Sequence, residues 1–388
     1  MKKPNALALL ALAPLLVLPA LTVTATVQAA STAQAPAARA AIDTAVTLAR
    51  WQLAHMDSSH IPRATGGTRN PRGWEQAVFW IGMTELADAG AAPDIAKAVM
   101  EMAKANGWQP ASRPYHADDH AIAQAYLWAA AKQGAGPAAV EPTRKLFDQV
   151  LANPARVNLA FYVPPSGYND AECLKRWCWC DALFMSPPVL LELARQTGDT
   201  RYRDFAMAEF WATTDFLYDP AESLYYRDSR FFERRDDKAR KLFWSRGNGW
   251  VLAGMARSIP LLEAGSPDRV RMEALFKEMA VKIKATQKPD GYWPPSLLGP
   301  EDSPPESSGT AFYTYAIAWG VTAGLLDRVT YEPVARRGWN ALTRSIQPDG
   351  RLGWVQQVSD RPEQVEPQDT QYYGVGAFLL AASAVSKL

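Results

Sequence analysis

The chain has 388 residues, of which 48% are hydrophobic and 21% charged, enough for one large domain or two ordinary ones. Its 41 Lys and Arg residues nearly balance its 40 Asp and Glu residues, and a formal net charge of +1 gives no electrostatic case for binding nucleic acid or an anionic membrane surface. The 14 tryptophans suit either a surface that stacks on sugar rings or a large helical core.

The N-terminal segment has the pattern of a targeting sequence. Lys2 and Lys3 precede an apolar run from Ala6 to about Val23, and small residues follow up to Ala30. This pattern predicts a secretory signal peptide over residues 1–29 and a secreted or periplasmic mature chain, residues 30–388. Because the apolar run is short and interrupted by proline, we expect no stable membrane insertion after cleavage.

The rest of the sequence reads as helices. Apolar residues recur at helical spacing between loops rich in Gly, Pro and Asp, and no stretch shows sustained strand alternation. Roughly twelve helices are predicted. Their bounds are 37–55, 74–87, 93–106, 119–133, 138–151, 181 or 186 to 198, 200–218, 249–263, 267–287, 309–325, 331–346 and 372–385.

Every second helix is apolar almost all round, as in 119–133 and 309–325, whereas the intervening helices carry charge on one face. A helix that is apolar on all sides must be buried on all sides, so the alternation predicts an inner ring of helices sheathed by an outer ring, in an all-α single domain. An irregular helical enzyme or a helical solenoid is the alternative. In the double ring, the long loops that enter the inner helices gather at one end, where helix dipoles favour an anionic ligand such as a carboxylated sugar.

Asp181 is the first candidate for chemistry at that end. It follows Trp177 and Trp179 and precedes an apolar helical run that contains Phe184 and Met185. A carboxyl group walled by these side chains is expected to have a raised pKa, and therefore to keep a proton that it can donate near neutral pH. The alternative role for Asp181 is that of a helix cap.

A second acidic pair, Asp118 and Asp119, stands at the entrance of the fourth predicted helix between His116 and His120. One helix cap needs one carboxylate, so the pair indicates a further role. A metal site is the alternative, but these ligands are too close in sequence to converge easily, and no metal is predicted.

Two further loop ends carry arginine among aromatic residues. Arg246 stands between Trp244 and Trp250, with two glycines that permit close backbone approach, which suits a bidentate contact to a substrate carboxylate. An arginine stacked on tryptophan for structural reasons is the alternative. Arg227 lies in a polar and aromatic cluster in the preceding loop.

The three cysteines all lie between Cys173 and Cys180. In an oxidising compartment, one disulfide from Cys173 to Cys178 or Cys180 would leave one thiol. Zinc is a less favoured alternative, because no histidine stands near these cysteines in the sequence.

Taken together, these motifs make the chain resemble the unsaturated rhamnogalacturonyl hydrolases of glycoside hydrolase family 105, which are relatives of the unsaturated glucuronyl hydrolases. The resembling segments are 115–124, 176–188, 244–250, 290–320 and 369–380. The resemblance implies the (α/α)6 six-hairpin barrel and a substrate that ends in a 4,5-unsaturated uronic acid left by a polysaccharide lyase. It implies neither a metal nor an organic cofactor.

The resemblance also assigns roles. By motif match, Asp181 donates a proton to C4 of the vinyl ether and takes a proton from the water that adds at C5, and Asp118 or Asp119 is the second acid. The candidate substrate-binding residues are His116, Trp179, Arg227, Trp244, Arg246 and Trp250.

Three matters stay open at this stage. Family members often carry a histidine where this chain has Arg227, so the leaving sugar is not specified. An ordinary two-carboxylate glycosidase on saturated sugars and a non-catalytic oligosaccharide-binding protein are the alternative functions. No sequence feature points to a particular oligomeric state.

Overall fold

The structure is a computed structural model that describes Met1, residues 21–168 and residues 171–388, with side chains described at Met1 and from residue 36 onward, apart from 169–170. Most of the predicted signal peptide, residues 1–29, therefore lies outside the described residues. Ala38–Leu388 form one compact unit, and Met1–Ala37 are a separate one. Within the described ranges, no helix combines the length and the apolar character needed to cross a membrane.

The helices follow the predicted order closely. They are α1 (Leu21–Leu53), α2 (Trp74–Asp88), α3 (Pro93–Ala105), α4 (Ala117–His120), α5 (Ala123–Lys132), α6 (Pro137–Ala152), α7 (Ala182–Met185), α8 (Pro187–Thr197), α9 (Thr200–Leu217), α10 (Ser245–Ser258), α11 (Pro267–Ala285), α12 (Ser307–Thr322), α13 (Arg328–Arg344) and α14 (Tyr372–Val385). Short 3-10 helices span Glu172–Lys175, Ser229–Phe231 and Ile259–Leu261.

Two predicted helices are each divided into two pieces. The fourth becomes α4 and α5, and the sixth becomes α7 and α8 with Ser186 between them. The second break has a simple cause, because Pro187 and Pro188 have no backbone N–H to continue the hydrogen bonds of α7. Proline is tolerated in the first turn of a helix, so α8 starts at Pro187.

The helices build two concentric layers, which confirms the all-α (α/α)6 barrel. The inner ring runs through α2, α5, α8, α10, α12 and α14, each packed on the next, and α14 closes the ring by packing on α2. Outside them, α3, α6, α9, α11 and α13 each pack on an inner helix that precedes them in the chain. The part of α1 from Ala38 onward buries one face and is joined to α3 by an ion pair, with Arg50 Nε 2.8 Å from Asp94 Oδ2.

Glycines allow the closing helices of the ring to touch backbone to backbone. A Cβ on Gly82 of α2 would collide with the carbonyl oxygen of Gly376 of α14, and a Cβ on Gly376 would collide with the carbonyl oxygen of Val78. Glycine inside a helix costs about 1 kcal/mol relative to alanine, so close packing must offset that cost at the crossing.

The loops that enter the inner helices depart from the prediction in two places. The first is a short hairpin with two residues in each strand, in which β1 (Tyr218–Asp219) pairs antiparallel with β2 (Leu224–Tyr225). Strands of this length are too short for an alternation of apolar and polar residues to reveal them. The eighth predicted helix was expected to begin at Gly249, but α10 begins at Ser245. Arg246 therefore lies in the first helical turn instead of in a loop.

Candidate active site

A cavity of about 870 Å³ opens where the inner helices begin. Its floor and walls come from the first residues of α2, from α4, from the residue that precedes α7, and from the loops between them. The polar and aromatic side chains that line it include Trp74, Glu75, Arg113, His116, Asp118, Asp119, Trp179, Asp181, Arg227, Asp360 and Arg361. Six of the nine predicted site residues thus share this cavity.

Asp181 lies at the N-terminus of α7 with 8% of its surface exposed. Its side chain makes no capping hydrogen bond among the described residues, so the helix-cap alternative is wrong. The Oδ2 atom lies 3.4 Å from Sγ of Cys180 and 3.6 Å from Nε of Arg227. Burial raises the pKa of Asp181, and the positive charge of Arg227 is the largest effect that opposes the rise. These are the surroundings of a proton donor.

The structure separates the two acids that the sequence left equivalent. Asp119 accepts hydrogen bonds from the backbone N–H of Arg113 at 2.7 Å and from its Nη2 at 2.6 Å, so it is a paired carboxylate that holds the preceding loop. Asp118 lies on the cavity wall without such a partner in the described part of the chain, and burial raises its pKa to about 8. Asp118 is therefore the acid of the pair that lines the cavity without being held by Arg113.

His116 and Trp179 form one wall beside Asp118. Their ring centroids are 4.8 Å apart, and Nδ1 of His116 lies 3.7 Å from Oδ2 of Asp118. Burial lowers the pKa of His116 well below its ordinary value, with Arg113 adding to the effect, so the imidazole is neutral near pH 7. The contact between His116 and Asp118 is consequently not an ion pair.

Arg227 is held rigidly at the edge of Asp181. Its Nη1 lies 2.8 Å from Oδ2 of Asp228, a fully buried residue. The same oxygen forms a second ion pair with Nη2 of Arg230, also at 2.8 Å. The carbonyl oxygen of Arg227 accepts a hydrogen bond from the backbone N–H of Cys180 at 2.9 Å, which ties the two loops together next to the acid. A guanidinium fixed in this way can meet an anionic substrate without reorganisation.

The structure does not bring Trp244, Arg246 and Trp250, the other three predicted binding residues, to the cavity. All three are at most 2% exposed, and none lines the cavity. The guanidinium of Arg246 donates to the backbone oxygens of Gln356 at 2.8 Å and Gln357 at 2.9 Å, and lies 4.4 Å from the ring of Trp244.

These contacts support the alternative interpretation of Arg246, an arginine that stacks on tryptophan for structural reasons. Arg246 anchors the start of the segment 358–361, which lines the cavity. Its charge still acts on the site, since it lowers the pKa of Asp181. Trp250 packs 4.2 Å from the ring of Phe312 in the barrel core.

Five of these polar and aromatic cavity residues were missed by sequence reasoning: Trp74, Glu75, Arg113, Asp360 and Arg361. Glu75 is 2% exposed, and burial raises its pKa to about 7. The signal for Trp74 and Glu75 was available, because they open an inner helix just as Asp118 does. Arg113 carries no such signal, since its place is set by Asp119 six residues later in the chain.

The positions of the three cysteines decide their pairing. Cys173 and Cys178 form a disulfide with a Cα–Cα distance of 5.6 Å, and Cys180 is a buried free thiol. Over the described ranges, no group of three or more His, Cys, Asp or Glu side chains has an arrangement that could hold a metal ion.

A second cavity, of about 720 Å³, lies where the inner helices end. Trp128 and Trp319 line it together with charged residues. At its centre, Arg257 donates through Nη1 to Oε1 of Glu85 at 2.8 Å and through Nε to Oε1 of Gln124 at 2.8 Å. The central charges of this cavity are therefore satisfied within the protein.

An (α/α)6 barrel with buried acids and tryptophan in one cavity at its inner-helix entrances has the groups that acid-catalysed cleavage of a glycoside needs. The model of the family described as Glycosyl Hydrolase Family 88 matches residues 44–388, and the chain belongs to this family. The resemblance found in the sequence is thereby confirmed, and the protein is an enzyme, a glycoside hydrolase.

The matches to individual relatives extend over most of the chain. The chain is 40% identical over 343 residues to the unsaturated 3S-rhamnoglycuronyl hydrolase of Alteromonas sp., which covers 86% of this chain and 83% of the relative. It is 39% identical over 326 residues to the protein of the same name from Formosa agariphila, covering 82% and 85%. A solved structure, a glycosyl hydrolase family 88 protein from Bacteroides vulgatus, has a TM-score of 0.77 at 27% identity and covers 90% of this chain and 99% of its own.

Proposed function

We propose that this enzyme removes a terminal 4,5-unsaturated uronic acid from oligosaccharides produced by polysaccharide lyases, by hydrating the vinyl ether double bond. The observation that carries the proposal is Asp181, a buried carboxyl with a raised pKa on the wall of a cavity that also presents Arg227. The names of its relatives, unsaturated 3S-rhamnoglycuronyl hydrolases, support the same substrate class.

The first chemical step is proton transfer to carbon. Asp181 delivers its proton to C4, the C4–C5 double bond supplies the electron pair, and the positive charge that develops is shared between C5 and the ring oxygen. This step needs a carboxyl group that carries a proton, and burial raises the pKa of Asp181 in the direction that favours the protonated form.

The second step restores the catalyst. Water adds at C5 while the Asp181 carboxylate takes one of its protons, which leaves a hemiketal at C5. The hemiketal opens to a ketone as the bond between C5 and the ring oxygen breaks, and the hemiacetal at C1 then collapses to an aldehyde and expels the leaving sugar with its hydroxyl group. One carboxyl group therefore serves as acid and then as base.

The charge state of the cavity explains how an anionic uronate can approach these acids. Asp119 is neutralised by Arg113. Burial raises the pKa of Asp118 to about 8 and that of Glu75 to about 7, so Asp118 is mainly protonated near pH 7 and Glu75 about half so. A protonated carboxyl group does not repel the substrate carboxylate and can donate a hydrogen bond to it.

The same charge state argues against the two-carboxylate alternative. That mechanism needs one ionised carboxylate to activate water or attack the sugar while another acid protonates the leaving group. Asp118 and Asp181 both have raised pKa values, and the paired acid, Asp119, is bound to Arg113. The shifts of Asp118 and Asp181 thus both favour the protonated form over the ionised form that this mechanism needs in one of them.

The leaving sugar is proposed from the relatives. Both curated relatives carry rhamnose in their names, so we propose that rhamnose follows the uronate in the substrate of this enzyme as well. The first substrates to try are disaccharides of an unsaturated uronate linked to rhamnose, with and without a 3-sulfate.

The experiment follows the ultraviolet absorbance of the conjugated unsaturated uronate, which disappears when the double bond is hydrated. The purified enzyme should remove this absorbance from the rhamnose-linked disaccharides and leave saturated glycosides intact. Release of saturated sugars would favour the two-carboxylate glycosidase, and binding of the disaccharide by calorimetry without turnover would favour a non-catalytic sugar-binding protein.

We also propose that the chain is exported through a signal peptide over residues 1–29 and acts in the periplasm or outside the cell. The disulfide between Cys173 and Cys178 supports an oxidising compartment. Mass spectrometry of the protein recovered from the periplasmic fraction tests this, because cleavage near Ala29 removes a defined mass. An intact N-terminus in the cytoplasmic fraction would contradict export.

A further inference from the structure

We propose that Cys180 is a positioning residue for Asp181: its thiol donates a hydrogen bond to Oδ2 and leaves Oδ1 as the oxygen that carries the proton to the substrate. This inference deepens the proposed function and rests on it for the catalytic consequence. Neither the family match nor the names of the relatives assign a role to this cysteine.

The geometry at the carboxyl group is asymmetric. Sγ of Cys180 lies 3.4 Å from Oδ2 of Asp181, within the distance of a hydrogen bond that involves sulfur. The Nε atom of Arg227 approaches the same oxygen at 3.6 Å. The thiol and the charged guanidinium both lie beside Oδ2 of a residue that lines the cavity, which leaves Oδ1 as the oxygen for the substrate.

On its other side, the thiol is confined by the first turn of α10. A Cβ added to Gly247 in the first turn of α10 would lie 3.1 Å from Sγ of Cys180 and 3.0 Å from the ring of Trp244. The missing side chain of Gly247 therefore makes the space that the sulfur occupies. This gives a reason for a glycine beside Arg246 that the sequence motif alone did not supply.

The backbone of Cys180 is fixed as firmly as its side chain. Its N–H donates to the carbonyl oxygen of Arg227 at 2.9 Å, and the residue is fully buried. Its thiol is also not consumed by a disulfide, because Cys173 and Cys178 pair with each other. Cys180 is thus free to act as a donor to the residue that follows it.

The thiol stays a donor throughout the working pH range. Burial raises the pKa of Cys180 well above its ordinary value, and the neighbouring charge of Asp181 adds to the rise. A neutral donor on a carboxylate favours the ionised form, so the thiol lowers the pKa of Asp181 against the effect of burial. The acid therefore holds its proton less tightly than burial alone would require, which makes transfer to carbon easier.

The test compares Cys180→Ala, Cys180→Ser and the matched control Ser258→Ala. Ser258 is also fully buried, but it lies near the end of α10, away from the acid. The pH dependence of kcat/KM on the rhamnose-linked disaccharide is measured for each, with thermal unfolding as a check of the fold. A second readout, the pKa of the Asp181 carboxyl followed by carbon NMR in the ligand-free protein, does not depend on turnover.

We expect Cys180→Ala to lower kcat by about 3- to 10-fold, the effect of one neutral hydrogen bond, and to move the basic limb of the profile to higher pH. The NMR pKa of Asp181 should rise in the same variant. Cys180→Ser keeps a donor and should return both quantities toward those of the unmodified enzyme, while Ser258→Ala should change neither.

An unchanged limb, an unchanged NMR pKa and an unchanged kcat in a folded Cys180→Ala variant would overturn the proposal. If that variant does not fold, an unshifted NMR pKa in Gly247→Ala, whose new Cβ displaces the sulfur, would overturn it equally. Absence of turnover by the unmodified enzyme would instead refute the proposed function, and the NMR titration would still decide the role of Cys180.

Discussion

A cavity opens at either end of the inner ring, of about 870 Å³ where the inner helices begin and about 720 Å³ where they end. Both contain tryptophan and charged side chains. The two differ in how their charges are partnered. At the far end, Arg257 is bound to Glu85 and Gln124. At the near end, Asp118 and Asp181 are buried with raised pKa values.

The comparison teaches that size and lining do not mark the reactive end of this barrel. Burial makes a carboxylate costly to keep ionised, so a buried acid whose pKa stays raised favours its protonated form, and that proton is what a general acid needs. A paired buried charge has no such capacity, because its partner keeps it ionised. Catalysis is therefore expected at the end of the barrel where the buried acids have raised pKa values. At the other end, the charged groups bound to Arg257 are expected to contribute to stability.

The largest effect is expected from Asp181→Asn. An amide cannot donate a proton to C4 or accept one from water, so kcat should fall by about 1,000-fold or more. The buried acid is not needed for folding, and the thermal midpoint should be unchanged or higher. The measurement is loss of the unsaturated uronate absorbance, with thermal unfolding in parallel. Retention of most of the activity would remove Asp181 from the mechanism.

The next effect separates the two adjacent acids. Asp118→Asn should lower kcat/KM by about 10- to 100-fold without loss of stability, because Asp118 faces the cavity as a proton-bearing group. Asp119→Asn should lower the free energy of unfolding by about 1 kcal/mol, a value kept small because the Arg113 side chain is 44% exposed. Reversed behaviour in the two variants would exchange their roles.

A stability effect alone is expected at the other end. Arg257→Met leaves the carboxylate of Glu85 and the amide of Gln124 without their donor, which should cost about 2 kcal/mol of unfolding free energy. The Michaelis constant and kcat should stay within about twofold of the original values, since surface and structural changes far from a site act on stability. Loss of activity in a folded Arg257→Met variant would contradict the claim that this end of the barrel affects stability alone.

The smallest effect concerns Glu75 and depends on pH. Burial raises the folded-state pKa of Glu75 to about 7, above the ordinary value of 4.5, so folding is favoured by the protonated form. This contribution is fully present below pH 4.5 and is lost as pH rises through 7. Glu75→Gln cannot ionise and should raise the thermal midpoint by roughly 2–4 °C at pH 8, with little change at pH 4. An equal shift at both pH values would contradict the raised pKa.

The sequence predicted the double ring because its signal is spread over whole helices. An inner helix such as α12 is apolar on every side, and no local change hides that pattern. The end of the barrel that holds the site followed from the same alternation. The break between α7 and α8 was also foreseen as one of two outcomes, since proline removes specific hydrogen bonds.

The roles of individual side chains could not be predicted in the same way, because they depend on contacts between distant residues. Arg246 binds backbone oxygens more than a hundred residues later, at Gln356 and Gln357, and nothing near it in the sequence indicates that. The sequence also could not distinguish Asp118 from Asp119, because the difference depends on which of the two carboxylates binds Arg113.

The most direct test of the central claim is turnover in heavy water followed by NMR of the released uronate product. If Asp181 protonates C4 and water adds at C5, the product should contain at least one deuterium at C4 and no double bond, and Asp181→Asn should form it about 1,000-fold more slowly or slower still. A released uronate that keeps its double bond and carries no deuterium at C4 would contradict hydration and with it the role assigned to Asp181.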